Sequence, residues 1–202
     1  MPKINEETKQ ERKSLITKHA FKIFSEKGYS QTTVDDIVLS SGVSKGGIYT
    51  YFKSKEEIFL AIAEERLNNR KQLIETFNAS MTSKEKITEY IHWILDWVID
   101  EKNMLQLKFT FEFWSVTSRN EAIKNLATER YTQISKDLYK LLEEGVQRGE
   151  FKRDLDIESN CYIILSSTDA IGFYTGIMGL KANTNIINNL LDMILNNICG
   201  VE

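Results

Sequence analysis

The sequence predicts an all-α protein of about nine helices: a three-helix N-terminal domain and a larger helical C-terminal domain. Three observations carry this. The only proline is Pro2, so nothing after it forces a helix to break. Apolar residues recur three and four positions apart in run after run, while strand-like alternation is scarce. Several runs are preceded by a hydroxyl residue with an acid three positions on, the spacing of a reciprocal N-terminal cap: Thr33 with Asp36, Ser54 with Glu57, Thr82 with Glu85, Ser118 with Glu121.

Helix 1 spans about Glu7 to Lys27, with Ile16, Ala20, Ile23 and Phe24 as its apolar stripe and Gly28 as its stop. His19 neighbours that stripe as a packing or surface residue. Helix 2 starts after Thr33, buries Val34, Ile37 and Val38, and ends at Gly42, with Val43 plugging the corner. Helix 3 runs from Ser44 to Tyr51, with Ile48 and Phe52 inward. Two short helices joined by a glycine-containing turn make a helix-turn-helix, whose second helix can enter the DNA major groove. Helix 4, from Ser54 to about Phe77, contains no glycine and connects the two domains, which divide at 1–53 and 54–202. Thr82 opens helix 5, helix 6 covers about Asn103 to Val116, and Ser118 opens helix 7. Asp156 and Thr184 start helices 8 and 9.

Composition narrows the partners. The chain has 202 residues and a net charge of −3, which does not describe a generally basic nucleic-acid coat. The charge is divided unevenly. Residues 1–55 hold 10 Lys and Arg against 6 Asp and Glu; the totals of 26 and 29 leave 16 against 23 beyond. A head of +4 on a body of −7 suits a protein that touches DNA at one end. Lys3, Lys9, Arg12 and Lys13 add charge before and within helix 1, offset by Glu6, Glu7 and Glu11. Cys161 and Cys199 are too few for a disulfide framework and read as small buried hydrophobes. His19 and His92 are the only histidines; no nucleophile–His–acid set, phosphate-binding glycine loop or metal-ligand spacing is present, so neither an enzyme nor a cofactor or metal is expected. The polar N-terminus lacks a signal-peptide pattern. The most apolar run, Tyr162 to Leu180, is interrupted by Ser166, Ser167, Thr168 and Asp169; a cytoplasmic protein without a membrane partner is expected.

Within helix 3, Gly46 and Gly47 each cost roughly 1 kcal/mol against alanine, but let a backbone approach a duplex closely. Tyr49 and Tyr51 carry hydroxyls on rigid rings. Thr50 offers a hydroxyl and a methyl to base edges. Lys45 and Lys55 bring positive charge, and the helix terminus behind Ser54 can hold a phosphate. The run Thr32 to Phe59 resembles the DNA-binding signature of TetR/AcrR-type transcriptional regulators. The matching residues are Thr33, Ile37, Gly42, Val43, Ser44, Lys45, Tyr49, Phe52, Lys55 and Ile58. Val38 and Ser41 stand where the family usually has small alanines. The expected DNA face is therefore Thr33, Ser44, Lys45, Gly46, Gly47, Tyr49, Thr50, Tyr51 and Lys55.

The resemblance implies a homodimer that binds palindromic double-stranded DNA, most simply as a repressor, and that a small-molecule effector releases by moving helix 4. In helices 5 and 6, Trp93, Trp97, Phe109, Phe113 and Trp114 form an aromatic group with Asp96, Asp100, Glu112 and His92 among them. That composition suits an apolar core or, as the resemblance implies, a lipophilic effector site. Expected ligand residues are Trp93, Trp97, Phe109, Glu112, Phe113 and Trp114, with Glu112 as the anchor for a cationic group. In helix 8, Asp169, Gly172, Gly176 and Gly179 share one face, while Ile164, Ile171, Tyr174 and Met178 share another that can pack inward. The expected dimer residues are those four small or acidic ones with Leu191, Ile194, Leu195 and Ile198 of helix 9. A constitutive DNA-binding protein without an effector is the alternative.

Overall fold

The computed structural model describes residues 6–199, apart from the side chains at 6, 65–68, 122, 126 and 130. Lys3 and Pro2 lie outside the described residues. The elements are α1 (Glu6–Lys27), α2 (Val34–Ser41), α3 (Lys45–Tyr51), α4 (Lys55–Thr76), α5 (Ser83–Ile99), a short 3-10 turn (Glu101–Asn103), α6 (Met104–Thr117), α7 (Glu121–Gln147), α8 (Ile157–Gly176) and α9 (Thr184–Ile198). No strand occurs among the described residues. The all-α architecture matches the class expected from the sequence.

Local chemistry explains most helix ends. Thr33 accepts from the Asp36 amide, and the Asp36 carboxylate accepts in return from the Thr33 amide. Thr82 and Glu85 repeat the arrangement at α5. At α4 the Glu57 amide donates to Ser54 Oγ, while the Glu57 carboxylate accepts from the Lys53 amide. α9 begins at Thr184 as expected, behind the Asn183 cap. One cap differs from expectation. Asn120, not Ser118, starts α7: its side-chain oxygen accepts from the Ile123 amide, and Ser118 Oγ instead donates to the Ser115 carbonyl. Asparagine caps as well as serine or threonine, and spacing alone does not choose among neighbours.

The chain forms two compact units, residues 1–69 with 108–124, and residues 70–107 with 125–202. A cut at 53/54 follows neither: most of α4 and the C-terminal part of α6 belong to the first unit. Its core takes Ile16, Ala20 and Phe24 from α1, Ile37 from α2, Ile48 from α3, and Ile58 and Phe59 from α4. Phe109 and Phe113 of α6 join them. The Phe59 ring centroid lies 5.3 Å from that of Phe24, 4.7 Å from Phe109 and 5.5 Å from Phe113.

The second unit is a helical bundle. Ile87, Tyr90, Ile91 and Leu95 of α5 pack with Leu138 and Leu142 of α7, Cys161 and Ile164 of α8, and Ile187 and Ile194 of α9. Lys86 is buried there only because its ammonium donates to both Glu144 oxygens, at 2.7 and 2.9 Å. Asn197 Nδ2 donates to Asn160 Oδ1 at 2.7 Å, tying the end of α9 to the start of α8. Cys161 is buried with its thiol pushed up to about 11 by burial, the state of an inert packing residue. Among the described residues no helix is long and apolar enough to cross a membrane.

Candidate nucleic-acid interface

The hairpin of α2 and α3 is fixed from within. Ile37 and Ile48 are fully buried, and Phe52 is nearly so. The corner needs Gly42: its φ of +67° is a left-handed conformation that a side chain would strain, and its amide closes α2 on the Val38 carbonyl. Val43 fills the space beneath. Ser44 then accepts from the Gly47 amide and sets the direction of α3. His19 Nδ1 lies 3.0 Å from Ser40 Oγ, a second tie between α1 and α2.

With its apolar residues turned inward, α3 turns Lys45, Gly46, Tyr49 and Thr50 outward; Tyr49 is 47% exposed despite its size. Thr33 and Ser44 are exposed at the two helix starts, and Tyr51 is half-buried. The two glycines differ. A Cβ at Gly46 would meet nothing within 4 Å. A Cβ at Gly47 would sit 3.0 Å from Val43 Cγ1 and 3.1 Å from Ser44 Oγ. A side chain at Gly47 would therefore crowd Val43 and Ser44 in the turn, whereas a Cβ at Gly46 would crowd nothing inside the protein. Lys45 pairs with Asp35 at 2.9 Å, but both groups are exposed, so the lysine can exchange this partner for another anion at little cost. Thr50 Oγ1 donates to the Gly46 carbonyl and keeps its acceptor capacity.

Lys55 is placed differently from a simple surface cation. Its ammonium donates to the Tyr29 carbonyl at 2.7 Å and the Thr32 carbonyl at 2.8 Å, and lies 4.2 Å from the centre of the Tyr29 ring. Desolvation lowers its pKa. It thus clamps the α1–α2 connection to the start of α4. Tyr29 is the hub of this clamp. Its hydroxyl donates to Glu56 at 2.6 Å, and its amide donates to Glu112 Oε1 at 2.8 Å. Burial and the Glu56 carboxylate push the phenol pKa up, while the Tyr29 hydrogen bond lowers that of Glu56. Nothing local in the sequence announces this hub, because Glu112 lies 83 residues from Tyr29. On the α2 side, Lys27 and then Thr33 hold the Asp36 carboxyl far below the usual range.

The residues expected at the ligand site divide. Trp93 and Trp97, half-buried on α5, belong to the second unit; Phe109, Glu112, Phe113 and Trp114 belong to the first. Phe109 and Phe113 are buried in the aromatic core beneath the hairpin, and Glu112 is committed to Tyr29. Trp114 is 40% exposed. Asp96 lies 3.4 Å from His92 in an exposed pair, and Asp100 caps the 3-10 turn. The dimer residues divide too. Gly172, Gly176, Leu191, Ile194 and Ile198 are buried within the protomer, and Leu195 packs against the same core. A Cβ on Gly176 would lie 2.9 Å from Leu107 Cβ. Asp169 and Gly179 are exposed. The outward faces carry Tyr162, Ile163, Phe173 and Tyr174 on α8, Ile177 just past its end, and Ile186 and Met193 on α9, each at least 40% exposed. Tyr174 and the following Met178, expected inward, are among the exposed residues.

Residues 16–62 match the family described as bacterial regulatory proteins, tetR family, and residues 86–185 match the tetracyclin repressor-like C-terminal domain. The HTH-type transcriptional regulator YfiR of Bacillus subtilis (strain 168) is 29% identical, over 84% of this chain and 82% of its own. The fatty acid metabolism regulator protein of the same organism is 29% identical over 74% and 76%. The solved fatty acid degradation regulator FadR from Bacillus halodurans superposes with a TM-score of 0.80 at 21% identity, covering 91% of this chain and 94% of that one, and shares its fold. The hairpin with its outward polar face, the helical body and both family matches agree: this chain belongs to the TetR family of helix-turn-helix, DNA-binding transcription regulators.

Proposed function

We propose that the protein is a homodimeric, ligand-responsive repressor that binds a palindromic operator through α3 and leaves it when a small lipophilic effector occupies the helical body. The observation that carries the DNA-binding part is the α3 face. Lys45, Gly46, Tyr49 and Thr50 are all outward, and no packing inside the protein calls for a glycine at 46. Thr33, Ser44 and the Lys55-clamped start of α4 flank that face. Tyr51, half-buried, and Gly47, held by Val43, support it from behind.

One short recognition helix contacts few base pairs, so a two-fold pair of protomers doubles the contact. The outward apolar faces of α8 and α9 support such a pair, because large exposed apolar stripes mark interaction surfaces. Asp169 lies in that stripe, beside Tyr162 and Phe173 in helical phase. In this reading the buried glycines of α8 serve the protomer rather than the dimer.

Effector release requires a molecule with higher affinity for the released form than for the operator-bound form. Two of the similar proteins are named as fatty acid regulators, which supports a lipophilic effector. Trp93 and Trp97 are the natural reporters in the body. Selection from random duplex DNA followed by titration against the recovered operator tests the reading. Tyr49→Ala should lose operator binding, Thr50→Ala should change preference at particular base positions, and effector should release the parental protein with a midpoint shared by tryptophan fluorescence. An operator that no lipophilic compound releases would instead support a constitutive DNA-binding protein.

A further inference from the structure

The second unit holds one charged side chain in its interior whose hydrogen bonding is half complete. Arg70, 3% exposed, comes from α4. Its Nη1 donates to Asp137 Oδ2 of α7 at 2.6 Å, and Asp137 Oδ1 accepts from Gln133 Nε2 at 3.1 Å. Its Nε and Nη2 are buried and have no hydrogen-bond partner among the described residues. The same holds for the hydroxyl of Tyr90 on α5, which is fully buried and acted on by the Arg70 and Asp137 charges. A buried donor left without an acceptor costs about 1–3 kcal/mol, and more when it is charged. Three such donors from two neighbouring residues therefore call for a specific acceptor.

The pattern of the donors selects its chemistry. Nε–H and Nη2–H lie on one edge of the planar guanidinium and point in parallel, the fork that matches the two oxygens of a carboxylate. Asp137 uses the remaining nitrogen, and no acceptor with hydrogen-bond geometry meets this edge among the described residues, although the Tyr90 hydroxyl stands beside it. An ammonium group would be repelled by the arginine, and a lone hydroxyl would answer only one of the two fork donors. Tyr90 belongs to an apolar core that also holds Ile87, Ile91, Leu138 and Cys161, with Leu73 and Ile74 packed against it. A tie between α4 and α7 needs only the bond to Asp137 and does not explain the other edge.

We propose that Arg70 and Tyr90 form the acid-binding subsite of the effector site, holding the carboxylate of an otherwise apolar molecule. This rests on the ligand-responsive reading above and reverses the charge that the acids of α5 and α6 suggest. Because α4 begins at Lys55 in the clamp of the first unit, a ligand on Arg70 would act on the helix that carries the hairpin.

The test uses the full chain with hexanoate, decanoate and palmitate, each against the alcohol and the amine of equal length, read by tryptophan fluorescence and thermal shift. At least one carboxylate should bind about tenfold or more tightly than its alcohol, the value of one charge-assisted hydrogen bond, and the amines should not compete. Arg70→Lys keeps the charge but loses the fork, and should abolish the preference for carboxylate. Tyr90→Phe removes a hydroxyl without a hydrogen-bond partner among the described residues, so it should nearly keep the parental Tm while weakening carboxylate binding about threefold to tenfold. Equal affinity for carboxylate and alcohol, no binding by any carboxylate, or parental carboxylate affinity in Tyr90→Phe would each overturn the subsite. Carboxylate binding that leaves the operator occupied would keep the subsite and refute effector release. Operator release by an amine or alcohol, with no carboxylate bound, would keep the regulator and refute the subsite.

Discussion

On the α2–α3 hairpin the outward side chains are polar or glycine apart from Leu39, and residues within ten positions hold the polar ones: Thr33 with Asp36, Ser44 with Gly47, Lys45 with Asp35. On α8 and α9 the outward side chains are large and apolar, and what turns them outward is distant in the chain. Gly176 faces Leu107, and Ile187 and Ile194 face the core of α5 and α7. A short helix between two caps has few ways to orient itself. A long helix that is apolar on several sides can bury any of them, and its partners decide which.

The comparison breaks most severely if the hairpin proves to rest on its own residues alone. Phe59 is fully buried among Phe24, Tyr29, Phe109 and Phe113. Phe59→Ala should cost about 3–5 kcal/mol and abolish operator binding, seen as a large drop in Tm. A parental Tm would mean that the aromatic base is dispensable.

The α8 assignment is sharpened by a pair. Gly176→Leu should destabilise the protomer by about 1–3 kcal/mol through its clash with Leu107. Ile163→Glu, on the 53% exposed outward face, should leave protomer stability nearly unchanged and weaken dimerisation in sedimentation. The opposite outcome, with Gly176→Leu monomeric yet stable, would return the interface to the glycine face.

Lys55→Met removes both bonds to the Tyr29 and Thr32 carbonyls, and should cost about 1–3 kcal/mol. A lysine acting only on phosphate would leave Tm unchanged and reduce the salt dependence of DNA binding by about one contact.

The two glycines of α3 separate packing from recognition. Gly46→Ala, with open space around it, should raise stability by up to about 1 kcal/mol and lower operator affinity. Gly47→Ala should fail to gain stability, because Val43 and Ser44 crowd the new methyl. Undiminished operator affinity in Gly46→Ala would show that the backbone does not approach DNA there.

The smallest effect is in acid. Asp36 in the hairpin and Glu144 in the bundle both have lowered pKa values, held chiefly by Lys27 and by Lys86. Each binds its proton more weakly folded than unfolded, where carboxylates titrate near about 4. Their stabilisation is therefore present at neutral pH and fades as the pH falls through that region. Glu144→Gln should flatten the acid limb of a Tm–pH profile; an unaltered limb would make the Lys86 pair irrelevant to acid stability.

The sequence by itself determined the all-α class, the hairpin with its caps and corner glycine, and the family, because these depend on residues a few positions apart. The cap of α7 was missed narrowly, since Ser118 and Asn120 offer the same chemistry two residues apart. Only the tertiary structure decided the rest. Glu112 became a partner of Tyr29, Phe109 and Phe113 became the floor of the hairpin, and the glycines of α8 turned inward. Arg70 in a helix otherwise read as a connector gave no signal until Asp137 and Tyr90 stood beside it. The physical reason is common to all of these. A helical period states which residues share a face, but which face is buried depends on what the rest of the chain brings against it.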